Sequence, residues 1–373
     1  MELLKQLLRF HKQWIGLSLL ILAVVASMLV SPHIASGLKQ APPQITHKKK
    51  EQVKSALRKS VTCRADYNQD MSRCLERAQG LGVDAVVLAI MTFQKTSDAS
   101  EVYIDRQKTI DEAHIRQFIK KAKQNNIVVI IKPILLIEQN VNTIQRDTIK
   151  PRNREKWFRS YKSVLDTLMR WGKDSDGIVV GTELTSMQGD TAKWQDIVSS
   201  LRKLYPDMLF SYDVNWNALD KPMMWWKNVD LIGFSAYFPL CTFTKKPTVS
   251  ELITCWNGGT KKSILKYVRQ HGSLPFWFTE IGLTAREGSN SMPWGTPNEA
   301  YCPECQANWF KAAFEVWDKS PGFVGLTWWS LIGHDCIEKV PNNEFSYFEE
   351  STQLVLLEFY TGKTHVIHKQ DSC

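Results

Sequence analysis

Two glutamates carry the chemistry that this sequence is equipped to perform. Glu280 stands near the end of Pro275-Phe276-Trp277-Phe278-Thr279-Glu280-Ile281-Gly282, an apolar run without helical period that follows a Gly-Ser-Leu-Pro turn. Glu183 ends a second run of this kind, Gly177-Ile178-Val179-Val180-Gly181-Thr182-Glu183. A carboxylate placed where a buried strand stops lies at the mouth of a parallel sheet, where ligands bind in α/β folds. Cleaving a glycosidic bond needs two such groups, one to protonate the leaving oxygen and one to attack the anomeric carbon or activate water. Their surroundings divide the roles, since burial beside another carboxylate retains a proton and hydrogen bonding favours ionisation. Tyr237 ends a third apolar run, Val229 to Tyr237, where its hydroxyl is placed to donate to Glu280.

The two glutamates meet only if their strands are parallel and belong to one sheet. With 373 residues, 43% hydrophobic and 23% charged, the chain is globular and can bury a large core. Strand and helix patterns alternate along it. A weak first strand over 54–63 precedes a helix over 70–80, a strand from Val83 to Ile90 and a helix starting at Asp111. The strand Ile127 to Ile131 is closed by Lys132 and Pro133. A helix from Arg154 to Trp171 sets Trp157, Phe158, Tyr161, Val164, Leu165 and Leu168 on one core-facing stripe. The Glu183 strand is followed by a helix carrying Trp194, Ile197, Val198, Leu201 and Leu204, then a strand from Met208 to Trp216. Val229–Tyr237, a helix over Lys261–Gln270, the Glu280 strand, a helix through Trp309 to Trp317, the strand Phe323–Trp329 and a closing helix over 349–360 complete the series. That order and size predict an α/β fold of the (β/α)8 TIM-barrel type, which brings every strand C-terminus to one face. An open doubly wound sheet is the alternative, but no glycine-rich phosphate loop follows any strand.

The first 37 residues read as an export segment. An apolar run from Trp14 to Val30 follows Lys5, Arg9 and Lys12, which hold that end in the cytoplasm. It is either a slightly short transmembrane anchor or a signal peptide cleaved near Ala35-Ser36-Gly37. Residues 38–53, with Pro42, Pro43 and the run His47 to Lys50, read as a polar linker, and 54–373 as the barrel domain. The net charge of +9 is spread over helices and tails, and nothing resembles a nucleic-acid module. Eight cysteines in an exported chain predict disulfides, with Cys241–Cys255 the first expected bridge. Cys302 and Cys305 are open to three roles: a redox pair, half a zinc site, or partners in longer bridges. Cys63, Cys74, Cys336 and Cys373 have no assigned pairing. No metal or cofactor is expected, because no second cysteine pair lies near enough to complete a zinc site.

At Gly181-Thr182-Glu183-Leu184, Ser235-Ala236-Tyr237, Phe278-Thr279-Glu280-Ile281-Gly282 and Leu326-Thr327-Trp328-Trp329, the chain resembles the clan A retaining glycoside hydrolases, and within them glycoside hydrolase family 113, whose members include β-mannanases. The likeness covers roughly residues 60–335. It implies acid/base for Glu183, nucleophile for Glu280, a nucleophile contact for Tyr237, and a tryptophan floor to the sugar site at Trp328 or Trp329. The clan commonly has asparagine before the acid/base, where it binds the sugar 2-hydroxyl. Here the residue is Thr182, whose shorter hydroxyl would reach through water.

Flat apolar faces suit a pyranose, with polar groups reading its hydroxyls. The candidates are Trp216, Trp256, Trp294, Trp328 and Trp329, with Asn215, Asp213 and Lys132 as polar partners. Lys132 has a second possible role, as ion-pair partner to a glutamate at the mouth. The expected function is a retaining β-glycoside hydrolase acting outside the cytoplasm by double displacement, its carboxyls about 5 to 5.5 Å apart. A membrane-tethered barrel that binds glycan without turnover is the alternative.

Overall fold

Runs of aliphatic and β-branched residues bounded by helices close into a cylinder of eight parallel strands. The computed structural model describes residues 44–65, 71–140, 146–221, 223–332 and 348–364. The strands are β1 (Ser60–Ala65), β2 (Ala85–Gln94), β3 (Val128–Ile137), β4 (Gly177–Thr182), β5 (Leu209–Asn215), β6 (Leu231–Ser235), β7 (Phe276–Ile281) and β8 (Phe323–Ile332). They pair in sequence order, and β8 returns to β1, as a TIM barrel requires. Between them run α2 (Ser72–Gly80), α3 (Glu112–Gln124), α4 (Arg154–Trp171), α5 (Thr191–Leu204), α6 (Val249–Cys255), α7 (Lys261–Gln270) and α8 (Pro303–Trp317), and α9 (Glu350–Thr361) follows β8. Helix starts have local causes: Asp111 accepts from the His114 amide at α3, and Asn153 from the Lys156 amide at α4.

Two elements differ from the sequence reading, and a third departs from the usual barrel. Helix α1 (Gln44–Ala56) occupies much of the stretch expected as linker and the start of the one expected as the first strand, and from Lys48 onward the chain forms one compact unit. Val53 and Leu57 pack with Ala85, Val87, Ile130, Val179, Leu209, Leu231 and Trp277 at the strand starts, so this helix stops the lower end of the barrel. Gly325 permits the approach, since a Cβ there would lie 2.1 Å from the Leu57 carbonyl oxygen. Second, β3 does not close at Lys132-Pro133. It pairs with β2 along its whole length, while β4 pairs only as far as Ile131, so the missing amide hydrogen of Pro133 leaves no ladder bond unmade. Third, the residues described between β5 and β6 form two 3₁₀ turns, Trp216–Ala218 and Trp226–Asn228, where a barrel usually places a helix. Trp225 fills that part of the outer layer by stacking on Trp194 at 5.2 Å.

Residues 1–43 lie outside the described residues, and with them the predicted export segment and the start of the linker. Among the described residues no helix is long and apolar enough to cross a membrane. Every described cysteine is bridged: Cys63 to Cys74, Cys241 to Cys255 as expected, and Cys302 to Cys305. The last pair therefore joins itself. Cys336 and Cys373 lie outside the described residues.

Candidate active site

The strand ends that carry the two glutamates are irregular. Along β7, Phe276 and Phe278 face the helices and Trp277 faces the barrel axis, in the ordinary alternation. The pairing with β6 then shifts between Phe234 and Ser235, and both Thr279 and Glu280 reach the same inward lysine. Along β4 the pairing with β5 shifts between Val179 and Thr182, and Glu183 follows at φ +54°, a left-handed conformation uncommon outside glycine. Bulged pairing of this kind re-aims side chains, and it turns both carboxyls into the barrel mouth.

Glu280 is buried between an ammonium and a phenol. Lys132 Nζ lies 2.7 Å from its Oε1, and the Tyr237 hydroxyl donates to Oε2 at 3.1 Å. The same ammonium lies 2.6 Å from Asp213 Oδ2 and donates to Thr279 Oγ1 at 3.1 Å, while Ser235 donates to Asp213 Oδ2 at 2.9 Å. One fully buried cation therefore serves two carboxyls from β5 and β7. Glu183 stands across the mouth with a different partner, Arg146 Nη2, at 2.9 Å from Oε2. Burial pushes the Glu183 carboxyl up to about 7, helped by the negative charges of Glu280 and Asp213 and opposed by Arg146 and Ser235. Burial also raises Asp213, against the pull of Lys132. The Tyr237 hydroxyl is pushed well above its ordinary value, first by burial and then by the charge of Glu280, so it remains a proton donor.

Glu183, Glu280, Tyr237 and Lys132 converge, whereas the flat side chains divide. Trp328 is a correction: it is fully buried and faces the helices, stacked on Phe310 at 3.6 Å with Phe314 beside it, so it cannot floor a sugar site. Alternation gives the inward position to Trp329, half-buried against Ala89, Met91, Phe93 and Ile134 inside the mouth. Trp256 is likewise core, packed on Phe278 and Trp317. Trp216 is half-buried and stacks on Trp294 at 4.6 Å and 15°. Asn215, which ends β5, is buried and its Oδ1 has no hydrogen-bond partner among the described residues. Thr182 is turned into the sheet, its hydroxyl donating to the Pro133 carbonyl at 3.3 Å. Lys132 is also corrected as a sugar contact. It is fully buried among carboxylates, so of its two sequence-based roles it takes the ion pair.

Sequence reasoning missed Arg146 and gave Ser235 no role. Arg146 lies on a short 3₁₀ turn, Arg146–Thr148, in the β3–α4 connection, where no apolar period marks it. Ser235 is one of the residues of the family resemblance, and its position at the end of β6 was the available signal.

A parallel barrel with paired carboxyls at the C-terminal ends of its fourth and seventh strands is the architecture of a clan A glycoside hydrolase. The sequence profile of Glycoside Hydrolase Family 113 matches residues 59–347, and the chain belongs to that family. It is therefore a glycoside hydrolase. Among solved structures it is similar to a GH113 β-1,4-mannanase at 22% identity and TM-score 0.71, covering 82% of this chain and 99% of that one. The GH113 β-mannanase AaManA from Alicyclobacillus acidocaldarius, in complex with ManMIm, is similar at 21% identity and TM-score 0.70, covering 82% and 97%. A β-glucuronidase from Ruminococcus gnavus shares the fold at 10% identity and TM-score 0.54, over 82% of this chain and 50% of that one. No curated protein matches the chain.

Proposed function

We propose that the chain is a retaining β-glycoside hydrolase that cleaves a β-linked glycan outside the cytoplasm, with β-1,4-mannan as its polymer. The observation that carries this reading is the unequal setting of the two carboxyls. Glu280 is held by an ammonium and a phenol, which suits an ionised nucleophile, while Glu183 has a carboxyl raised to about 7, which suits an acid that later becomes a base. In the first step Glu280 bonds to the anomeric carbon, the glycosidic C–O bond breaks, and Glu183 passes its proton to the leaving oxygen. In the second, water attacks the same carbon, gives its proton to Glu183 and frees Glu280. Similarity to the β-mannanase structures supports mannan as the substrate. The three disulfides support an oxidising compartment, and residues 1–37 are proposed as the export signal or membrane anchor. Purified protein is expected to hydrolyse β-1,4-mannan, with proton NMR showing the β-anomer as the first product. An α-anomer would mean inversion and remove the double displacement.

Thr182 is the observation behind the alternative of a binding barrel without turnover, because its hydroxyl is engaged by Pro133. A 2-fluoro mannoside with a good leaving group discriminates the two readings. An enzyme accumulates a covalent adduct on Glu280, and a pure binder stays unlabelled.

Trp216 and Trp294 are proposed as a platform for a sugar ring away from the cleavage point. Trp294 is 45% exposed and stacks on Trp216, which directly follows the last residue of β5. A ring that stacks there contributes binding alike to ground and transition states. Trp294→Ala is expected to raise KM for long glycans about three- to tenfold and to leave kcat unchanged. An unchanged KM on polymer would remove the platform.

A further inference from the structure

We propose that Arg146 is the positioning residue that lets Glu183 alternate between acid and base, by stabilising the carboxylate left when its proton departs to the leaving group. This rests on the double-displacement reading above and adds a residue that the reading does not need. The geometry is specific. Arg146 is buried, its Nη2 lies 2.9 Å from Glu183 Oε2, and its Nε and Nη1 have no hydrogen-bond partner among the described residues. Among the described residues, Glu183 is the group whose charge acts on this guanidinium most strongly, ahead of Glu280 and Asp213.

Among the described residues, every other charged or titratable group acting on Glu183 pushes the opposite way or is already engaged. Asp213 on β5 and Glu280 on β7 are negative and disfavour its ionisation, as does burial. Lys132 on β3 is shared between Asp213 and Glu280. Tyr237 beyond β6 donates to Glu280, and the Ser235 hydroxyl, which also favours the ionised form of Glu183, carries no charge. Arg146 is therefore, among the described residues, the cation that offsets the rest. Without it, Glu183 would hold its proton too firmly to release it, and it would be a carboxylate too rarely to activate water.

The sign follows from the charge. Removing a cation beside a carboxyl raises its proton affinity, so Glu183 in Arg146→Gln should titrate at higher pH than in the wild type, by about one unit or more. The Glu183 carboxyl is followed directly by carbon-13 NMR of glutamate-labelled protein, its signal identified by its loss in Glu183→Gln. This readout needs no substrate. With turnover, the alkaline limb of kcat/KM on mannan should move up by the same amount. With a dinitrophenyl glycoside, which leaves without protonation, the acidic limb of kcat should rise, because deglycosylation needs Glu183 as base. Arg146→Lys should return both limbs toward the wild type.

An unmoved Glu183 titration in folded Arg146→Gln, checked by its melting curve, would overturn the proposal. So would a rate loss equal for all leaving groups with both limbs unmoved, which is the signature of a loop prop. If the wild type itself turns over no glycoside, the function reading fails, and the NMR titration still decides the role of Arg146.

Discussion

Glu280→Ala is expected to lower kcat on mannan on the order of 10⁴-fold or more, because no other group in the described mouth is aimed to form the glycosyl bond. Lost rate alone does not establish a role, since misfolding also removes it. Azide separates the cases. In Glu280→Ala the vacated pocket admits azide to the face that the carboxylate attacked, and an activated β-glycoside should yield the α-glycosyl azide. In Glu183→Ala the covalent intermediate still forms from an activated substrate, and azide replaces the water, giving the β-glycosyl azide. The opposite pairing of variant and anomer would exchange the two roles, and the absence of azide product from both folded variants would move the chemistry elsewhere.

Lys132→Met should damage stability and catalysis together. Its ammonium is fully buried between Asp213 at 2.6 Å and Glu280 at 2.7 Å, so removing it leaves two buried carboxyls without their cation. Breaking a buried pair from one side costs about 3 to 5 kcal/mol, because the remaining charge keeps its desolvation penalty. The carboxyls then reduce that penalty by taking up protons. A protonated Glu280 is no nucleophile, so the acidic limb of kcat/KM should move to higher pH. Urea unfolding measures the first effect and a pH profile the second. A variant as stable as the wild type, with an unmoved acidic limb, would show that Lys132 does not keep Glu280 ionised. Methionine is chosen because it preserves most of the side-chain volume.

Much of this architecture is legible in the residues because strands buried on both faces and amphipathic helices leave different periods. The limits of α4 and α7 agree with those read from the sequence, and Asp111 marks the start of α3 as a helix cap. Glu183, Glu280 and Tyr237 were visible because each stands at or just beyond the end of an apolar run. What was not visible has definite causes. Proline reads as a strand terminator, but Pro133 is harmless where one neighbouring strand has already stopped pairing. Helix α1 is rich in lysine and looks like tether, while only Val53 and the following Leu57 show what it covers. Between Trp328 and Trp329, sequence offers two identical side chains, and only the position in the pleat decides which one faces the mouth. Arg146 stands in a connection, where spacing carries no information about direction.

The shifted pairing beside Glu183 and Glu280 bears on any attempt to move this chemistry to another barrel. The aim of each carboxyl is written in a count of backbone residues, since the strands lose step with their neighbours shortly before it. A graft of Phe276–Ile281 into a barrel whose strands stay in step would carry every side chain across. With Phe278 still facing the helices, strict alternation would then turn Glu280 to that same side, among the aromatic rings. The portable unit is the strand together with the slip against its neighbour, and a redesign that straightens the sheet for stability would disarm the enzyme without changing a single catalytic residue.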